Sequence, residues 1–329
     1  MGARGGLRLG LGLFVTAGFV WLIARQLRGD ELLAALRGVD PAWLGLGLAC
    51  FCLGFACRIR RWQLMLRAAR PAVRWRACAG PFVASFALNN VLPLRAGDVL
   101  RAVGFNRQLG VGAGSVTATL FVERLLDMLM LLCALGLVLV LFDLRLQQVA
   151  RIGGTALLAL AACVALLLLV PRISSAAVGL GQRLLARLAP ALAARLAPEI
   201  ARGLASLQAL ASGAWMGRLL LWSAASWCLE GAMFWCVAQA VPALTAPHGA
   251  WLAFPVATLS TLVPSSPGYV GTFDYFASLA MRLLGNPDAA AAAYAIVVHL
   301  LLWLPPTLLG LAYLLMAPPD RLLPKERTV

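Results

Sequence analysis

Residues 152–170 read IGGTALLALAACVALLLLV, an uninterrupted apolar run. As a helix it reaches about 28 Å at 1.5 Å per residue, close to the ~30 Å of a bilayer's hydrocarbon core. Five other stretches share this character: about 9–24, 42–57, 116–142, 215–241 and 289–316. Backbone inside lipid must satisfy its own hydrogen bonds, so such runs become helices. The expected fold is an all-α integral membrane bundle with about six full spans. The first two are short and depend on flanking arginines that snorkel. Composition agrees. The chain is 62% hydrophobic and 12% charged, against about a quarter charged in a soluble domain.

The net charge is +15, and of the 28 basic residues only Lys325 is not arginine. Without a soluble basic domain, this excess does not suit a nucleic-acid partner. It suits loops obeying the positive-inside rule. Segment 58–76 carries Arg58, Arg60, Arg61, Arg67, Arg70, Arg74 and Arg76. Segment 171–214 and the tail 318–329 are also basic, and all three read as cytoplasmic loops. Loop 242–250 has no charged residue and reads as external. Arg4 and Arg8 precede the run Leu9–Ala24 as in a signal peptide, but no small-x-small cleavage site follows. The run reads as a retained first span. In segment 183–198, RLLARLAP is followed by ALAARLAP, which fits either amphipathic helices on the membrane surface or a soluble helical hairpin. The eight cysteines lie in or beside apolar runs with no Cys-x-x-Cys pair, so they read as small hydrophobes. Neither metal nor cofactor is expected. The Trp residues near span ends read as interface anchors.

These orientations leave two segments unaccounted for. Residues 79–100 must leave the cytoplasmic side and return to it. Residues 251–284 must enter from outside and return outside. Each is expected to be a re-entrant, broken-helix hairpin. The two are related: LNNVLPLRAGDV (88–99) aligns without gaps on LSTLVPSSPGYV (259–270), with Leu, Pro, Gly and Val shared. Paired, Pro/Gly-interrupted apolar segments in two oppositely oriented halves mark an inverted repeat and point to a transport site near the midplane. Broken helices free backbone groups that lipid cannot satisfy, and half-helix N-termini suit an anion. The chain thus reads as one transmembrane domain over 1–329. Its first half is about 1–142 with hairpin 79–100, followed by an amphipathic cytoplasmic segment 171–214. The second half is about 215–317 with hairpin 251–284, followed by the tail 318–329.

Three stretches, NNVLPLRAGDVLR (89–101), VERLLD (122–127) and LVPSSPGYVGTFDY (262–275), with WCLE (227–230) as a softer fourth, resemble the lysylphosphatidylglycerol synthase transmembrane-domain family, also called the flippase-like domain family. The resemblance covers most of the chain. It implies either the membrane half of an enzyme that aminoacylates phosphatidylglycerol, or a stand-alone lipid or polyprenyl-lipid translocator. No aminoacyl-transfer domain follows residue 316, so the stand-alone form is expected. The sequence departs from the family pattern at Tyr269, where a second glycine is common, at Asp274, where glutamate is common, and at His299, where an arginine is expected.

The substrate-binding candidates are Asn90, Pro93, Arg95, Gly97, Asp98, Arg101, Glu123, Arg124, Asp127, Glu230, Pro264, Ser265, Ser266, Pro267, Gly268, Gly271, Asp274 and His299. Arginine's planar fork matches phosphate, so Arg95 is the expected phosphate contact. Arg101 reads as lying nearer the surface, and Asp98 either orients Arg95 or forms a structural pair. Glu123 and Asp127, four apart, share a helix face, and Arg124 can pair with Asp127 at i,i+3; the acids either hold Arg95 or Arg101 or carry a proton, or the three form an ion cluster at the membrane's inner edge. Glu230 lies mid-span with no basic residue within four positions, so it needs a partner or a proton. His299 is either a titrating group or a satisfied structural one. The expected function is movement of an anionic phospholipid or polyprenyl-linked lipid between leaflets of a bacterial inner membrane, with both termini cytoplasmic and membrane lipids as partners. The alternatives are a membrane enzyme, for which no catalytic constellation is found, or a scaffold for a lipid- or glycan-synthesis enzyme.

Overall fold

A computed structural model describes residue 21 and residues 29–92, 95–142, 147–191, 193–194, 197, 201, 213–263 and 265–316. Every regular element among the described residues is helical. We number the helices α1 (Gly29–Arg37), α2 (Pro41–Ala69), α3 (Trp75–Val91), α4 (Ala96–Val103), α5 (Asn106–Leu109), α6 (Ala113–Leu141), α7 (Gln147–Leu169), α8 (Pro171–Leu188), α9 (Gly213–Ala240), α10 (Ala250–Ser260), α11 (Thr272–Leu283) and α12 (Asp288–Met316). Two short 3-10 turns cover Pro247–Gly249 and Pro267–Tyr269.

Among the described residues, four helices are long and apolar enough to cross a membrane: α2, α6, α9 and α12. The expected span 152–170 corresponds to α7, whose apolar part is the shorter Ala150–Leu166. Apart from residue 21, the expected first span 9–24 lies outside the described residues, as do the tail 318–329 and part of the repeat 183–198, whose first half closes α8. Helix α2 begins where the sequence signals it. Asp40 is extended at the N-cap, its carboxylate accepts from the Ala42 N–H at 2.8 Å, and Pro41 occupies the first turn, which has no use for a proline N–H.

Helix α2 does not end where the charge pattern suggested. Residues 58–69 continue it to 29 residues, and only the short stretch 70–74 separates it from α3. Arg58 and Arg61 are therefore not part of a solvated loop. They project into the bundle, and Arg61 is 1% exposed. A charge count along the chain cannot separate a loop arginine from one whose counter-ion sits on a distant helix.

Helix α2 packs along α9, α6 along α7, and α3 along α12, while α10, α11 and α12 pack together. The largest core cluster joins α2, α6, α9, α10, α11 and α12 through Phe51, Trp227, Phe234, Phe254, Phe273 and Tyr294. A second ties α2 to α6, α7 and α9. A third wraps Trp62, Phe82 and Phe105 between α2, α3 and the residues after α4. Both expected hairpins are broken helices. Helix α3 ends at Val91 and α4 begins at Ala96; α10 ends at Ser260 and α11 begins at Thr272. Helices α10 and α11 have 11 and 12 residues, or about 16–18 Å each, roughly half a hydrocarbon core.

Candidate functional site

The first break is held by charge. Asp98, in the first turn of α4, accepts from Arg124 of α6 at 2.9 Å and from Asn89 of α3 at 3.0 Å. The Asn89 side-chain oxygen in turn accepts from the Asp98 N–H at 3.2 Å, so one amide closes the gap between the two half-helices. Gly97 allows this closeness: a Cβ there would sit 1.8 Å from the Ser85 carbonyl oxygen.

Arg101 was expected near the surface but is fully buried. It donates to Glu123 at 3.0 Å and stands 3.8 Å from Asp98. Its Nε and Nη1 find no acceptor among the described residues. Instead its guanidinium lies over the Trp62 and Phe82 rings, at 5.1 and 4.8 Å from their centroids, where the negative ring faces offset part of the missing hydrogen bonding.

The cluster continues along α2. Arg61 donates to Asp127 at 2.8 Å and to Ser223 Oγ at 2.9 Å, and the Trp227 indole N–H donates to the same Asp127 oxygen at 3.1 Å. Arg58 pairs with Glu230 and lies 4.4 Å over the Trp227 ring. Arg124 favours Asp98 over Asp127, which is 4.0 Å away. Four arginines (58, 61, 101, 124) and four acids (98, 123, 127, 230) thus interlock with no net formal charge. Removing one partner of such a buried pair is costly because the other charge is stranded, although an intact pair contributes little net stability.

The second break is held by geometry and one ion pair. Pro267 opens a turn in which Gly268 has φ +74°, a conformation with low cost only for glycine. The Gly271 N–H donates to Asp274 Oδ2 at 2.8 Å, closing the cap of α11. His299 of α12 then clamps both sides of the break, with Nδ1 2.8 Å from Asp274 and Nε2 2.8 Å from the Gly268 carbonyl. Both ring nitrogens face acceptors, which fits a ring donating from both, as an imidazolium does. The two non-glycine residues with positive φ among the described residues are Arg95 and Tyr269, one in each break.

Between the breaks lies a cavity of about 150 Å³. Arg58, Glu230, Asn90 and His299 give it polarity. Phe51, Phe55, Phe86, Tyr269, Phe273 and Trp303 form most of the rest of its wall. Asn90, at the end of α3, is fixed by Thr307 Oγ1 at 2.8 Å and the Trp303 carbonyl at 3.3 Å, so both breaks meet α12 at this cavity.

Of the candidates, the structure brings Asn90, Glu230, Gly268 and His299 to the cavity, with Gly271 and Asp274 behind His299. Gly97, Asp98, Arg101, Glu123, Arg124 and Asp127 form the adjoining cluster. Arg95 stands apart from both. It is the left-handed N-cap of α4, is partly exposed, and has no hydrogen-bond or ion-pair partner among the described residues. Ser265 and Ser266 lie in the second break; the Ser266 carbonyl accepts from Tyr269. Pro93 and Pro264 fall outside the described residues. Sequence reading missed Arg58, Arg61, Trp227 and Trp303. The available signal was Glu230: a mid-helix acid needs a cation, and Arg58 extends the α2 span by one residue past its expected end.

Residues 9–310 match the family described as the lysylphosphatidylglycerol synthase TM region. The chain belongs to that family. It is therefore a membrane protein of a family tied to lipid or cell-envelope processes, and the resemblance carried by residues 89–101, 122–127 and 262–275 is upheld. No curated protein gives a significant match.

Proposed function

We propose that this family member carries an anionic phospholipid, or a polyprenyl-linked lipid, between leaflets of the bacterial inner membrane. The observation that supports it is the cavity between two helix breaks, walled by aromatics and holding one arginine–glutamate pair. A lipid headgroup needs a cation for its phosphate and polar groups for the remainder, in a space that excludes neither water nor lipid. Arg58 supplies the cation, while Asn90 and His299 supply polar groups. Arg95, without a partner among the described residues, serves as an earlier phosphate contact.

In this reading the two breaks are the halves of an inverted repeat, each entering the membrane from its own face and returning to it. The half-length helices α10 and α11 and the aligned segments 88–99 and 259–270 support that arrangement. The basic segments then face the cytoplasm, with both termini. Purified protein in liposomes with acyl-labelled phosphatidylglycerol tests the proposal. Faster loss of label asymmetry between leaflets supports it. Chemical turnover of the lipid favours a membrane enzyme instead, and neither effect favours a scaffold.

A further inference from the structure

The cavity has no spare charge. Glu230 is neutralised by Arg58 of α2. The other groups around it are balanced as well. From α6, Asp127 is matched by Arg61 and approached by Arg124. From α12, His299 is paired with Asp274 of α11, and Tyr294 donates to the Phe234 carbonyl. Helix α10 brings no titratable side chain, and Arg151 and Cys163 of α7 are exposed. A phosphodiester entering here brings one negative charge with nothing left to offset it, in surroundings that solvate charge poorly. Its best partner, Arg58, is already occupied, and the guanidinium fork can face the phosphate fully only if Glu230 lets go. The released Glu230 carboxylate, with 9% of its side chain exposed, cannot remain ionised there without a partner except at high cost.

We propose that headgroup binding is an exchange: the lipid phosphate replaces Glu230 on Arg58, and Glu230 takes up one proton from water, so that one proton enters the site with each singly charged lipid. Binding turns the Glu230 carboxylate into a neutral carboxylic acid. Departure of the lipid returns the proton to water and restores the Arg58–Glu230 pair. The inference rests on the lipid-carrying reading above and adds to it the partner of the phosphate and the coupled ion.

Titration calorimetry of the full-length protein in detergent tests it, with dihexanoyl-phosphatidylglycerol as probe, in three buffers of different ionisation enthalpy at the same pH. The expected result is uptake of close to one proton per lipid bound at neutral pH, with affinity falling about tenfold per pH unit on the alkaline side. Glu230→Gln, which cannot take up the proton, should bind the probe with no proton uptake and with affinity that no longer follows pH. Should Glu230→Gln fail to fold, the wild-type buffer series alone decides. Wild-type binding with no proton uptake overturns the exchange and leaves the lipid-carrying reading standing. Absence of any binding by the wild type removes that reading and the exchange with it.

Discussion

The two helix breaks pose the same physical problem and solve it differently. Each frees backbone groups that lipid cannot satisfy. At the first, the chain ends α3 at Val91 and begins α4 at Ala96, with α4 tied to α3 and α6 through Asn89, Asp98, Arg124, Arg101 and Glu123. At 261–271 it takes a longer path through Pro267, Gly268 and Gly271, and a single histidine of α12 holds both sides. The first break is fixed by an ion cluster in which each member depends on the others. The second is fixed by local turn geometry with one clamp. Removing one side chain should therefore do more damage at the first break, and movement during transport is expected at the second.

The largest contrast is expected between Glu123→Gln and Asp274→Asn. The first leaves the fully buried Arg101 with only Asp98, 3.8 Å away, and should destabilise by about 3–5 kcal/mol. The second weakens one hydrogen-bonded pair whose side chains keep some exposure and should cost about 1–3 kcal/mol. Thermal unfolding of both variants in the same detergent measures the difference, and equal losses would break the contrast. A smaller contrast separates Gly97→Ala from Gly268→Ala. At Gly97 the new methyl meets backbone and must push α4 away from α3, an overpacking cost of about 1–3 kcal/mol or more. At Gly268 it meets the edge of the Trp303 indole at 2.8 Å and the Asn90 carbonyl oxygen at 3.3 Å, a looser approach to backbone, with the left-handed backbone cost of about 1–2 kcal/mol added. A greater loss at Gly268 would show the second break to be the tighter one. The smallest stability effect belongs to Arg95→Lys, within about 0.5 kcal/mol, since Arg95 has no partner among the described residues to lose. Its effect should appear in the rate of lipid exchange alone, as a slower loss of label asymmetry in the liposome assay, since Arg95 stands apart from the cavity.

The positions of both breaks were legible because proline, glycine and polar residues stand out inside apolar sequence. The four long helices were legible for the converse reason. What could not be read was the pairing. Arg61 meets Asp127 across 66 residues and Arg58 meets Glu230 across 172, so the arginines looked like loop charges and Glu230 looked alone. Arg101 was misjudged because its aromatic neighbours, Trp62 and Phe82, lie on other helices. Trp62, just past an expected span end, resembles an interface anchor in sequence, yet it is a buried hydrogen-bond donor to Thr119. His299 was legible as an unusual residue. Its role at the second break needed the three-dimensional meeting of α12 with Gly268 and Asp274.

The central claim is that an anionic headgroup passes through the cavity at Arg58. The most direct measurement compares wild type with Arg58→Gln in liposomes, following acyl-labelled phosphatidylglycerol between leaflets and normalising to folded protein. The account predicts that wild type speeds the exchange and that Arg58→Gln, folded and inserted, loses it. Exchange by Arg58→Gln at the wild-type rate would contradict it.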